Sequence, residues 1–305
     1  MAIIPSGQKF HTIASNVATK ERGSSLVNAQ KNIYTMQDII DTAGGGSGSN
    51  YTTVKANGTS AQNGAALQAA YTAAIAINPN GSPKASGNEY YILLAPGYYT
   101  LPANLAVNTD FIYLVSLTGL RDVFIVGSFT LNVTTTKIYV QGIDTGTLPF
   151  TTSGNNTSQI FENCKGGANS FGCVSGAYGT YINCEGGANA FGGGNAIAGG
   201  IFTNCKGGYA SFGGGFNAGQ SASGIFQNCE GGDNSFAGYG GGANGTFNAC
   251  TGGNNSYGIS GNAAGVFTFC RLTAGSFPIP SGGRFTYCHV NGYPYNAGFI
   301  AQNNL

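Results

Sequence analysis

The sequence predicts a parallel β-helix, a column of strands wound one coil above the next, and three observations lead there. The decapeptide NCKGGANSFG at Asn163 returns as NCEGGANAFG at Asn183, NCKGGYASFG at Asn204 and NCEGGDNSFA at Asn228, then blurred as ACTGGNNSYG at Ala249. Cys164, Cys184, Cys205, Cys229, Cys250, Cys270 and Cys288 follow one another at intervals of 18 to 24 residues. An aromatic stands three residues before each of these cysteines (Phe161, Tyr181, Phe202, Phe226, Phe247, Phe267, Phe285). Another stands seven after six of them (Phe171, Phe191, Phe212, Phe236, Tyr257, Phe277). A period of this length built on strand-forming residues marks a solenoid in which each repeat adds one layer. A helical repeat is excluded, because Gly supplies 52 of 305 residues and costs about 1 kcal/mol each time it enters a helix.

Five segments follow along the chain. Residues 1–43 have ordinary composition and end in YTMQDIIDTA, where Thr35 and Asp38 read as a helix start and Met36, Ile39 and Ile40 as a short apolar face. Residues 44–50, GGGSGSN, are a flexible linker by composition. Residues 51–89 contain a helix that opens with Ser60 or Asn63 as N-cap and stops before Pro79. Leu67, Tyr71 and Ile75 form its apolar stripe, which is expected to cap the open end of the column. Residues 90–290 are the β-helix, entered through the strand-length runs YYILLAPGYYTL, FIYLVSL, DVFIVG and KIYVQGI. Residues 291–305 are a C-terminal cap with Phe299 and Ile300 as plugs. About ten coils give a rod on the order of 45–50 Å.

Within a coil, the aromatic before Cys points inward and the next residue outward. Asn163, Asn183, Asn204 and Asn228 then make a sharp bend, since Asn tolerates the left-handed conformation. The bend resets the alternation, so Cys is inward and its successor outward. The four Asn side chains are expected to stack as a ladder of bonded amides. That ladder fades at Ala249, Phe269 and Tyr287, so the bend is expected to change toward the C-terminal end. The outward residue after Cys reads Lys165, Glu185, Lys206, Glu230, Thr251, Arg271, His289. Opposite charges on neighbouring strands contribute about 0.2–1 kcal/mol per pair, and like charges repel. The alternation therefore pins the register of the coils. The seven cysteines are expected to be free, buried thiols, each packing as a small hydrophobe; Cys173 falls outside the series.

YYILLAPGYYTL followed by repeated IFxNC resembles the right-handed, single-stranded parallel β-helix of the pectin-lyase-like superfamily, over about residues 90 to 290. KFHTIASNVATKERGSSLVNAQKNIYTMQDIIDTA is similar to the leader of virion-associated fibre and tailspike proteins of large tailed bacteriophages. The resemblance implies attachment to other virion proteins through residues 1–43, a β-helix projecting outward, a homotrimer, and localisation to the virion. It also fits a leader without the apolar core of a secretory signal.

Three functions are compatible with that architecture. One is a purely structural spacer or decoration fibre with no ligand. Another is a non-enzymatic fibre, spike or decoration protein whose Gly/Asn/Ser/Tyr-rich loops bind host surface polysaccharide, with Tyr178, Tyr209, Phe216 and Tyr239 as candidate contacts. The alternative is a polysaccharide-degrading tailspike, lyase or hydrolase. Glycosidases need two carboxylates about 5–9.5 Å apart. The chain has 11 acids, of which Glu185 and Glu230 share the charge ladder with Lys206 between them. Glu230 and Asp233 fall in a turn, and Asp110, Asp122 and Asp144 are scattered. No catalytic residue is assigned. His11 and His289 have no Ser/Asp constellation, and no metal-ligand or phosphate-loop spacing occurs, so no cofactor or metal is expected. At a net charge of +1 with 8% charged residues, nucleic acid is not an expected partner. No apolar run approaches the roughly 20 residues of a membrane span.

Overall fold

The computed structural model describes residues 50–152, 156–172, 176–194, 196–214, 221–238, 241–257, 264–273, 283–290 and 293–294. The leader, Cys173, Phe216, Tyr239, Phe277, Phe299 and Ile300 lie outside the described residues.

Eleven parallel strands form one long sheet in strict chain order. They are Tyr51–Val54, Tyr90–Leu94, Ile112–Ser116, Ile138–Gln141, Gln159–Glu162, Thr180–Ile182, Ile201–Thr203, Ile225–Gln227, Thr246–Asn248, Val266–Thr268 and Arg284–Thr286. Each is one rung of a parallel β-solenoid. A second face starts with Gly97–Thr100, Val123–Val126 and Ile143–Asp144. Single bridges carry it on through Lys165, Glu185, Lys206 and Glu230 to Thr251, and then to Arg271–Leu272 and His289–Val290. The third face comprises Leu105–Val107, Leu131–Val133 and Thr151–Thr152, and later Ala177, Ala198, Ala222 and Ala243. His289–Val290 also pairs antiparallel with Tyr293–Pro294, the last described strand.

The first rung lies in the segment read from sequence as a capping region. Tyr51–Val54 pairs with Tyr91–Leu94 and belongs to the column itself. Helix α1 (Ser60–Ala76) follows it and lies against Gly97–Thr100, in the place of the first rung's remaining strands. Its N-cap is Thr59, in a reciprocal capping box with Gln62, and not Ser60 or Asn63. Asn63 is instead buried, its Nδ2 donating to the Tyr98 carbonyl at 3.0 Å. The buried stripe is Leu67, Tyr71 and Ala74, while Ile75 is 45% exposed. A period of 3.6 residues rotates the contact from Tyr71 to Ala74, so the four-residue spacing to Ile75 overshoots. Gly64 lets the helix approach the sheet, since a Cβ there would meet the Thr100 carbonyl oxygen at 1.9 Å. Lys84 Nζ donates to the carbonyls of Ala74, Ile75 and Ile77, satisfying acceptors that a helix end leaves free.

Two columns of rings fill the interior. Phe161, Tyr181, Phe202, Phe226, Phe247, Phe267 and Phe285 stack along the axis at centroid spacings of 4.4–5.4 Å. Phe150, Phe171, Phe191, Phe212, Phe236 and Tyr257 form the second column. The two columns meet edge to face, for example Phe212 on Phe226 at 88°. Parallel stacking within a column and T-shaped contact between columns both suit the ring quadrupole.

The seven ladder cysteines line the same core and are free and buried. Each donates its thiol to the carbonyl of a core residue in the preceding rung, as Cys184 Sγ does to Phe161 O (3.3 Å) and Cys205 Sγ to Tyr181 O (3.3 Å). Burial pushes the Cys164, Cys184 and Cys205 thiols well above their usual range.

The bend does not change at the C-terminal end. Asn163, Asn183, Asn204 and Asn228 all have φ of 52°, and Ala249 (52°), Phe269 (54°) and Tyr287 (52°) keep it without an Asn side chain. The backbone bonds across the rungs hold that geometry, as Ala249 N donates to Thr268 O and Phe269 N to Thr286 O, both at 2.9 Å. Stacking overrides residue preference here.

Candidate functional site

The outward-facing residues that recur from rung to rung form ladders, and the candidate site is built from them. Along the bend, Asn183 Nδ2 donates to Asn163 Oδ1 (3.1 Å), Asn204 to Asn183 (3.0 Å) and Asn228 to Asn204 (3.2 Å). The ladder starts where Asn163 Nδ2 donates to Gly119 O at 2.9 Å. A separate amide contact links Asn189 Nδ2 to Asn169 Oδ1 at 3.2 Å, again between residues of positive φ.

Beside the amides runs the charge ladder, with Lys165, Glu185, Lys206 and Glu230 bridged in parallel register and Asp144 preceding them. Its contacts are pairwise. Lys165 Nζ lies 3.2 Å from Glu185, and Lys206 Nζ lies 3.2 Å from Glu230. Glu185 is drawn toward Lys165 by a partner the ladder pattern does not contain. Arg121 Nη1 reaches its Oε2 at 2.9 Å, Nη2 donates to Asn183 O (2.9 Å) and Nε to Asn163 O (3.3 Å). One guanidinium thus clamps two bends and a charge pair. Burial opposes ionisation of Glu185, but Lys165 and Arg121 outweigh it and hold the carboxyl below the usual glutamate range.

The outer face of the long sheet carries Tyr51, Tyr91, Tyr113 and Tyr139 in register, followed by Ile160, Thr180, Ile201, Ile225, Thr246, Val266 and Arg284. The tyrosines lie over Leu93 and Val115, which are buried on the outside of the sheet. Tyr139 donates its hydroxyl to Glu162 at 2.5 Å. Burial, helped by that carboxylate, raises the phenol well above its usual range.

The acids are dispersed over these structures. Asp110 accepts from the hydroxyls of Thr135 and Thr136 and from the backbone N–H of Thr136 and Lys137. Burial favours its neutral form, yet these bonds outweigh it and lower the pKa. Asp122 accepts from Ser116 and Thr118 within one loop. Asp144 accepts from Gly146 N at 2.6 Å. Asp233 accepts from Asn254 in the next rung. Glu185 and Glu230 stand two rungs apart with Lys206 between them. Among the described residues, no group of three or more metal-ligating side chains occurs, and no helix is long and apolar enough to cross a membrane.

Of the candidate glycan contacts, Tyr178 is half-buried and lies against the backbone of Gly176 and Gly199. Tyr209 is 41% exposed, and its hydroxyl accepts from Asn234 Nδ2 at 2.9 Å. Exposed rings pair at Tyr98 on Phe124, with centroids 5.0 Å apart, and at Phe269 on Tyr287, with centroids 5.3 Å apart and an interplanar angle of 8°. The sequence signal for Phe269 and Tyr287 was present, as the positions where Asn gives way to a ring. Its meaning depends on the bend persisting, which only the register reveals.

No protein-family model matches the chain, and no match is found among curated proteins or solved structures. What the fold defines by itself is a parallel β-solenoid with one capping helix.

Proposed function

We propose that this chain is a non-enzymatic structural component of a bacteriophage virion, a fibre, tailspike-like or decoration protein. Residues 1–43 attach it to other virion proteins, and the β-solenoid projects outward, as a homotrimer, to contact host surface polysaccharide. The carrying observation is that the solenoid's outer surface is spent on ladders that fix one rung upon the next, down to the Arg121 clamp on Asn163, Asn183 and Glu185. Such a surface suits a stiff rod. The carboxylates of Asp122, Asp144, Asp233, Glu185 and Glu230 are each held in turn or ladder bonds.

The test is assembly. A chain lacking residues 1–43 should purify as a β-rich solenoid yet be missing from particles when it replaces the full chain. Incorporation of the shortened chain would contradict the attachment role.

A further inference from the structure

Four consecutive bends carry Asn228, Ala249, Phe269 and Tyr287 in register. Ala249 is the missing tooth in this row. Two rungs separate Asn228 from Phe269, about 9.6 Å. Subtracting half the contact thickness of each flanking planar group leaves about 6 Å above the Ala249 methyl. One wall of this slot is the face of Phe269, a ring that is 59% exposed and backed by Tyr287.

The opposite wall is polar. Asn228 Nδ2 donates to Asn204 at 3.2 Å, whereas its Oδ1 accepts nothing among the described residues, so the amide ladder ends on an open acceptor. On the adjoining face stand Thr251 and Arg271, in register with each other. Arg271 has no ion pair among the described residues, unlike the cations higher on the same ladder.

The row is also costly for stability. Asn is the non-glycine residue best suited to positive φ, and Ala and Phe are penalised there. Replacing Asn by Ala249 also gives up an amide bond of the kind made at the three preceding steps. Residues kept in strained backbone while exposing apolar surface point to use of the surface.

We propose that the slot over Ala249 binds one pyranose ring of a glycan. The C–H face of the sugar packs on Phe269, a ring hydroxyl donates to Asn228 Oδ1, and Arg271 donates to hydroxyl or carboxylate oxygens at the sugar's rim. An apolar platform with a few convergent polar groups is the usual make-up of such sites. This assignment rests on the reading of the protein as a glycan-contacting fibre and names where the contact is made.

The test is saturation-transfer NMR on the full chain with methyl glucopyranoside, methyl galactopyranoside, N-acetylglucosamine and glucuronic acid as probes. The wild type should transfer saturation to the ring protons of at least one. Ala249→Gly relieves the backbone and leaves the slot open, so binding should remain. Ala249→Asn fills the slot and extends the amide ladder, so transfer should fall at least tenfold while the melting temperature holds or rises. Transfer to none of the four probes would overturn the proposal. Undiminished transfer in Ala249→Asn would overturn the slot but leave glycan binding elsewhere on the protein intact. Incorporation of that variant into particles reports on the virion role independently of either result.

Discussion

Arg121 Nη1 lies 2.9 Å from Glu185 Oε2, joining residues 64 positions apart in sequence. The same guanidinium donates to the carbonyls of Asn163 and Asn183, so its removal would leave two acceptors and one carboxylate short of a partner. Arg121→Ala is expected to lower stability by about 1–2 kcal/mol, most of it from the carbonyls, with the ion-pair part reduced by solvent exposure. Thermal melts in low and high salt check this: the deficit should shrink with salt but not vanish.

The pH dependence follows from Glu185 and Asp110, whose carboxyls are both held below their usual ranges. Each binds fewer protons folded than unfolded as the pH approaches the unfolded pKa, about 4.3 for Glu and 3.9 for Asp. Their contribution is therefore present above those values and lost as pH falls through the lower folded values. Melting temperature should drop on acidification below about pH 4, and Asp110→Asn should flatten that drop. An unchanged acid limb in Asp110→Asn would show that its four donors do not favour the ionised form.

The thiol column should be inert in the native state. The thiolate is the reactive species, and burial shifts Cys164, Cys184 and Cys205 away from it. At Cys229 burial is outweighed by hydrogen bonds from Cys205 and Cys250 that favour it, so the inertness of the column rests on the burial of all seven. Iodoacetamide at pH 8 should leave the seven ladder cysteines unmodified until denaturant is added, then modify them all without reductant. Mass spectrometry that finds ladder disulfides would contradict the column.

Phe226 stacks on Phe202 and Phe247 at 4.8 Å on either side and meets Phe212 and Phe236 edge-on. Phe226→Ala should cost about 3–5 kcal/mol. Because rungs interact mainly with their neighbours, calorimetry should show the single unfolding transition splitting or broadening at this middle rung.

The solenoid was legible because its period is carried by residues with few alternatives. Cys and the two aromatics repeat inward at fixed offsets, and the Lys–Glu alternation repeats outward. The strand at Tyr51–Val54 was not legible, since four residues after a glycine-rich linker carry no period and its partner lies beyond a helix. Arg121 was invisible for a related reason: its partners lie rungs away, and nothing local marks the reach. The persistence of the bend at Ala249, Phe269 and Tyr287 could not be read from residue preference, because register imposes a conformation those side chains disfavour. The slot over Ala249 was hidden with it.

One sequence repeat is one rung, so that residues such as Lys165 and Glu185 stand side by side with Nζ 3.2 Å from the carboxylate. A charge-reversal cycle tests this directly. Lys165→Glu and Glu185→Lys should each lower stability by up to about 1 kcal/mol through repulsion with ladder neighbours. The double reversal restores an opposite pair but leaves the new cation at 185 against Arg121 and Lys206, so in low salt its loss should be smaller than the sum of the two single losses without returning to the wild-type stability. Losses that simply add in the double variant would mean that the two residues are not adjacent, and the register of the column would be wrong.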